Sequence, residues 1–198
     1  MIYSLYDICD LSNQQYSHCL SLMSEEKRER IHSMRFEDDK KRSVVGEMLA
    51  RTLISKECHI KPEDVVISRT EYGKPYIKNL NIEFNISHSY NMVACAIDKR
   101  PVGIDIEKIR PLNLAISKYF CNADDMLYIF DHIPRIEDFY YTENIEILKR
   151  FFEVWTKKEA YGKCMGTGII NAKKIPIVDT NIFEWVNDYA LAIKRTVI

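Results

Sequence analysis

The chain lacks any large net charge: 28 lysines and arginines face 29 aspartates and glutamates, a formal −1 over 198 residues. No global field draws it toward nucleic acid or an anionic membrane, so any anion site must be a local cluster. Its six cysteines (Cys9, Cys19, Cys58, Cys95, Cys121, Cys164) include no Cys-x-x-Cys pair, which excludes the usual zinc and dithiol spacings. No apolar run approaches the roughly eighteen residues of a membrane span, so no membrane partner is expected. The opening MIYSLYDICD has no basic region followed by an apolar stretch. No secretory signal is therefore expected, and reduced thiols in the cytoplasm are the economical reading. Low-complexity segments and Gly/Ser or Pro linkers are also missing. What is present, 46% hydrophobic and 29% charged residues, is ordinary for a globular protein. The length suits one large domain or two small, closely packed ones.

Periodicity orders the elements. MIYSLYDI alternates weakly, as a strand does. SEEKRERIHSMRF opens a helix, with Ser24 as N-cap and Glu25 and Glu26 in the favourable first turn. EDDKKRSVVGEMLARTLISKECHI carries Val45, Met48, Leu49, Thr52 and Leu53 at helical spacing, an apolar stripe that asks for a core. Pro62 starts a turn before the strand DVVISRT, and EYGKPYI is turn-like around Gly73 and Pro75. IEFNIS, MVACAID and VGIDIE read as three strands, the last two joined by the tight connection DKRP. LNLAISKYF and ADDMLYIF look helical, and FFEVWTKKEAYGKCM is a helix ending near Gly166. The tail from Lys173 reads as strands separated by Asn-Asp turns. MVACAIDK and YALAIKR share a small-apolar texture, which suits two related α+β halves meeting near Glu107.

Four stretches could carry chemistry. In VGIDIE, strand alternation puts Val102, Ile104 and Ile106 on one face and Gly103, Asp105 and Glu107 on the other. Two carboxylates about 7 Å apart repel unless something positive sits by them. Gly103 on their face would let a ligand come close. Magnesium and similar hard cations take one or two such carboxylates plus substrate phosphates, but a wet outer face would read the same way. In WTKKEAYGK, the residues Thr156, Glu159 and Lys163 continue a stripe from Phe152. The plain reading is a Glu–Lys surface pair worth about 0.3–0.5 kcal/mol. Phe152 and Trp155 instead put Glu159 at an apolar edge. FNISHS lines up Ser87, His88 and Ser89 as donors suited to a phosphate, although a histidine at a strand end is often structural. The cations from Lys27 to Arg42 are interleaved with acids, so no nucleic-acid partner is expected.

Taken together, SEEKRER, EYGKP, FNISHS, VGIDIEKI and FFEVWTKKEAYGK resemble 4′-phosphopantetheinyl transferases of the larger surfactin-synthetase-associated (Sfp-type) class, in order and spacing. The resemblance spans residues 24–168. It implies an α+β, pseudo-twofold fold of two similar halves, 1–104 and 105–198, each with a small antiparallel sheet and packed helices. Coenzyme A would bind between the halves. The implied reaction moves the phosphopantetheine arm of coenzyme A onto a serine of an apo acyl or peptidyl carrier protein and releases adenosine 3′,5′-bisphosphate. Such chemistry serves fatty-acid, polyketide or nonribosomal peptide synthesis, and a monomer suffices. By position, Asp105, Glu107 and Glu159 match Mg²⁺ ligands, and Lys163 matches a lysine on the pyrophosphate. Lys27, Arg30, Ser43, Ser87 and His88 match contacts to the phosphates and adenine side; Gly73, Lys74 and Pro75 match the adenine loop. Glu159 is also the candidate base by analogy, with a water held by the ion as the alternative.

Three departures stand out. YIFDHIPRIEDFYYTENIEI matches nothing in the family pattern, Gly162 is unusual inside its helix and would loosen Lys163, and the tail after Gly168 is short. Two other readings use the same residues: a Mg²⁺-dependent nucleotide or coenzyme A hydrolase, and an inactive coenzyme- or carrier-binding protein. The intact set of Asp105, Glu107, Glu159 and Lys163 argues against the second.

Overall fold

A computed structural model describes residues 1–71, 75–169 and 180–196, which divide into two compact units, Met1–Pro101 and Val102–Ile198. The junction falls just ahead of the expected 104/105 boundary, because the strand starting at Val102 pairs along its whole length inside the second unit.

The first unit runs β1 (Ile2–Asp7), α1 (Asn13–Ser21), α2 (Glu25–His32), α3 (Glu37–Cys58), β2 (Ile67–Arg69), β3 (Pro75–Ile77), β4 (Glu83–Ser89) and β5 (Met92–Asp98). Ser24 caps α2, its side chain accepting from the Lys27 backbone N–H. Helix α3 has no side-chain cap, but Glu37, Asp38 and Asp39 fill its first turn, where the helix dipole favours negative charge. Its stripe is as expected: Val45, Leu49 and Leu53 are buried against Phe84, Val93, Cys95 and Ile97 of the antiparallel sheet β1-β5-β4. Pro75 opens β3 opposite Arg69, where a missing N–H is tolerated, so part of the turn-like EYGKPYI is strand. Residues 72–74, with Gly73 and Lys74, lie outside the described residues.

The second unit runs β6 (Val102–Lys108), β7 (Leu112–Asn113), α4 (Ser117–Phe120), α5 (Ala123–Phe130), β8 (Tyr141–Thr142), α6 (Ile145–Met165), β9 (Ile182–Val186) and β10 (Tyr189–Arg195). β5 and β6 are neighbours in sequence but belong to different sheets, so the connection between them is no hairpin turn. LNLAISKYF is not one helix. Leu112 and Asn113 pair with β8, the Asn113 side chain accepts from Ala115 N–H in a tight turn, and a single helical turn follows. The echo between MVACAIDK and YALAIKR marks β5 and β10, each the central strand of a three-stranded antiparallel sheet. Small side chains suit that place, since Ala94 and Ala96, like Ala190 and Ala192, are fully buried.

Helix α6 packs on the β6-β10-β9 sheet, and Gly103 sets how closely. A Cβ there would lie 2.1 Å from the Ala160 carbonyl oxygen and 2.4 Å from Cys164 N. Gly103 therefore serves helix–strand contact and does not open room for a ligand, as the sequence suggested. Gly162 works alike at the other side of the helix: a Cβ would meet the Gly168 oxygen at 2.6 Å, and Thr167 N–H donates back to the Gly162 carbonyl. Far from loosening the helix end, Gly162 lets the chain fold tightly over it. Leu148, Phe151, Phe152 and Val154 fill the core with Leu114, Phe120, Ile129 and Phe130.

The unassigned stretch runs from the end of α5 through a tight helical turn (Ile136–Phe139) and β8 into α6, and a side-chain hydrogen bond ties its first part together. His132 Nε2 lies 2.8 Å from Asp138 Oδ2, and Lys118 Nζ sits 4.0 Å from the centre of the Phe139 ring. Nearby, Lys158 and Asp125 form a fully buried ion pair, and Lys158 Nζ also donates to the Phe120 carbonyl at 3.1 Å. Breaking one side of such a pair strands a buried charge, at about 3–5 kcal/mol. Lys158→Met should cost that much in urea unfolding, and adding Asp125→Asn should restore a large part. A loss under about 1 kcal/mol for the single variant would show that water reaches Asp125.

Candidate active site

In the first unit, α2, α3, β2, β3 and β4 enclose a cavity of ≈ 500 Å³. Helix α2 projects Lys27 and Arg30 into it, one turn apart; α3 contributes Arg42, Ser43 and Glu47. Strand alternation on β4 presents Phe84, Ile86 and His88 to the cavity. Ser87 is buried and is not among its lining residues, so the row of donors read from FNISHS is split. Lys27, Arg30, Ser43, Pro75 and His88 are thus gathered around one space.

The electrostatics of this cavity are those of crowded cations. Lys27 Nζ donates to Ser43 Oγ at 2.9 Å and lies 3.9 Å from Glu47 Oε2. Glu47 is committed through Oε1 to Arg51, whose Nε and Nη2 donate at 3.0 and 2.9 Å. Asp39 likewise holds Arg42 at 2.6 Å, and Arg42 donates its other arm to the Tyr90 carbonyl. Burial pushes the Lys27 ammonium down to about 8; Glu47 opposes this, while Arg30 and Arg69 reinforce it. Arg69 was not singled out by sequence, although the alternation of ISR puts Ile67 and Arg69 on one face, and both line the cavity.

The second unit brings the acids of VGIDIE to α6. Asp105 is 3% exposed, and Lys163 Nζ donates to its Oδ1 at 2.7 Å and to the Ile104 carbonyl at 3.2 Å. The positive charge that the carboxylates call for is therefore, in this structure, an ammonium group. The Lys163 side chain reaches across to β6, which a simple Glu–Lys pair along the open face of the helix would not do. Glu159 is half-buried, and burial followed by the nearby Asp105 charge raises its pKa, with Lys163 opposing. Glu107 is also half-buried, on the strand face it shares with Asp105. Among the described residues no three acids, histidines or cysteines stand gathered as a preformed metal cluster. The donor chemistry fits a hard divalent ion all the same: the candidate ligands are carboxylate oxygens, with a lysine beside them.

Comparison with known proteins gives the family. Residues 10–100 match the family model described as 4′-phosphopantetheinyl transferase, N-terminal, and residues 101–194 match the 4′-phosphopantetheinyl transferase superfamily. The 4′-phosphopantetheinyl transferase Sfp of Bacillus subtilis is 35% identical over 169 residues, covering 85% of this chain and 71% of the relative. The transferase gsp of Aneurinibacillus migulanus is 32% identical over 160 residues, 81% of this chain and 63% of its own. A phosphopantetheinyl transferase of Thraustochytrium is 32% identical over 155 residues, covering 74% and 54%. The chain belongs to the 4′-phosphopantetheinyl transferases, in their Sfp-type class. Its two α+β units, each a three-stranded antiparallel sheet with one long helix, are the two halves of that fold.

The depressed Lys27 has two consequences for pH. Its proton is held less firmly in the folded chain than in the unfolded one, so its burial penalty applies below about pH 8 and is relieved as pH rises toward the ordinary lysine value. Anion binding runs the other way, because it needs the charged form. Affinity for adenosine 3′,5′-bisphosphate, measured by calorimetry, should rise as the phosphates lose their second protons near pH 6, stay level to about pH 8 and fall above it. Lys27→Arg should hold affinity level to pH 10. A wild-type profile that stays equally level would remove Lys27 from the anion site.

Proposed function

We propose that this chain moves the 4′-phosphopantetheine group of coenzyme A to a serine hydroxyl of an apo acyl or peptidyl carrier protein, in the cytoplasm, as a monomer, with Mg²⁺. The observation that carries the proposal is Lys163 seated on Asp105 beside half-buried Glu159, in a chain whose other unit holds a cation-lined cavity. Among the described residues, no helix is long and apolar enough to cross a membrane.

The cations of the first unit bind phosphate, and Lys163 binds the pyrophosphate. Asp105 and Glu107 would hold Mg²⁺, which would offset the charge of the pyrophosphate, and Glu159, matched by position to a third ligand, is taken here as the base instead. The serine oxygen bonds to the phosphorus that carries the pantetheine arm. The bridging P–O bond of the pyrophosphate breaks, and the electron pair leaves with adenosine 3′,5′-bisphosphate. The hydroxyl proton passes to Glu159, whose raised pKa brings it nearer to working pH. Lys163 faces the leaving phosphate with its ammonium group, where positive charge counts most in the transition state.

Mass spectrometry of apo carriers incubated with coenzyme A and Mg²⁺ tests the reaction: the serine should gain one phosphopantetheine. Bisphosphate released without carrier would instead identify a hydrolase, a reading that the family match does not favour.

Glu159→Gln tests the base. Glutamine keeps the shape and an oxygen but cannot take the proton. Coenzyme A binding should stay nearly intact while the rate falls by about 10²–10⁴. That rate should stay flat as Mg²⁺ is raised. Full recovery at high Mg²⁺ would make Glu159 a metal ligand only, since mass action repairs lost affinity but not a lost base.

A further inference from the structure

Helix α6 is held from two directions. Toward the sheet, Lys163 Nζ donates to Asp105 Oδ1 at 2.7 Å and to the Ile104 carbonyl at 3.2 Å. On another side, Lys158 Nζ donates to Asp125 Oδ2 and, at 3.1 Å, to the Phe120 carbonyl, and both charged side chains are fully buried. The Phe120 ring adds edge-on contacts to Trp155 at 4.9 Å and Phe151 at 5.7 Å, on the preceding turns of α6. Asp125 is itself fixed. Its Oδ2 also accepts from Asn122 N–H at 2.8 Å, and its own N–H donates to Asn122 Oδ1 at 2.9 Å, a capping box that opens α5. Lys158 thus meets a carboxylate that cannot swing to follow it. The other oxygen, Asp125 Oδ1, is buried with no hydrogen-bond partner among the described residues. A buried polar atom in that state costs stability, and apolar residues of similar volume often serve a core as well as an ion pair does. What the pair supplies, and apolar packing does not, is direction.

Resting on the function proposed above, we infer that Asp125 is a positioning residue for the transfer, fixing through Lys158 the rotation of α6 that sets Glu159 and Lys163 beside Asp105. Glu159 follows Lys158 directly and points about 100° further round the helix, while Lys163 lies about 7.5 Å along it. The helix is unbroken between them, so a rotation at Lys158 is carried to both. With side chains a helix is about 10–12 Å across, and a turn of roughly 10° moves a side-chain tip by about 1 Å. A misplacement of about 1 Å can cost on the order of a hundredfold in rate. The apolar contacts of α6 with Leu114, Ile129 and Phe130 are non-directional and tolerate such a turn. Charge-assisted hydrogen bonds to two fixed acceptors do not.

The double variant Lys158→Met with Asp125→Asn removes the pair without stranding a charge, and thermal melting should recover most of what Lys158→Met alone loses. Its kcat for transfer to an apo carrier should still fall by about ten- to a hundredfold. KM and the calorimetric affinity for coenzyme A should stay nearly as in the wild type, a split that a merely structural role would not give. Asp125→Asn alone, whose amide oxygen can still accept from Lys158, should keep more of the rate than the double variant. A crystal structure of the double variant should show Lys163 drawn away from Asp105. If that variant melts near the assay temperature, trimethylamine N-oxide favours the compact state without restoring direction, and a rate that returns with it would overturn the inference. Full kcat in the double variant would overturn it too, as would an unmoved α6 or a loss as large in coenzyme A binding as in kcat. Wild-type protein that transfers nothing to any apo carrier would instead overturn the functional reading beneath it, while the crystal structure would still test the placement of α6.

Discussion

The second unit depends on backbone meeting backbone at Gly103. With no side chain there, α6 lies directly on β6, and the rest of the site geometry follows from that separation. Lys163 is close enough to Asp105 for a 2.7 Å hydrogen bond, and Glu159, one turn earlier, stands within the field of the same carboxylate. The helix is also fixed against rotation. On one side Lys158 is bound to Asp125 and to the end of α4; on another Gly162 accepts the returning chain at Gly168. Within the roughly two turns from Lys158 to Cys164, α6 thus carries contacts on several sides that only one orientation of the helix allows.

Much of this was legible in the sequence, and the reasons are specific. Ser24 before two glutamates marked the start of α2, and Val45, Leu49 and Leu53 marked the buried face of α3, because capping and periodicity are local physics. The alternation in VGIDIE put Asp105 and Glu107 on one face, as they stand. What local physics could not supply was the identity of neighbours. Nothing in VGIDIE says that the face shared by Gly103 and Asp105 lies under a helix starting some forty residues later. The purpose of Gly103 was therefore misread as access for a ligand. The same limit hid the Lys158–Asp125 pair: a lysine between Lys157 and Glu159 on an amphipathic helix looks solvated until α5 is in place.

The first unit shows a related limit at its cavity. FNISHS offered three polar side chains in a row, yet a strand can turn only alternate ones to the same side. His88 lines the cavity and Ser87 does not, a division that the period of two already implied. Arg69 was passed over for the opposite reason. The alternation of its strand puts it on one face with Ile67, but that this face turns to the cavity emerges only once β2 stands with α2 around it.

The cation-lined wall of the first unit has a cost at the end of the reaction. On the proposed reading, the phosphate it grips takes no part in the bonds that form and break. That phosphate leaves on the by-product as it arrived on the donor. The wall therefore holds reactant and by-product about equally, and its grip helps capture without lowering the chemical barrier. On that reading, accumulated by-product competes with fresh donor for the same seat, so the share of protein open to donor follows how well the spent nucleotide is cleared from around it.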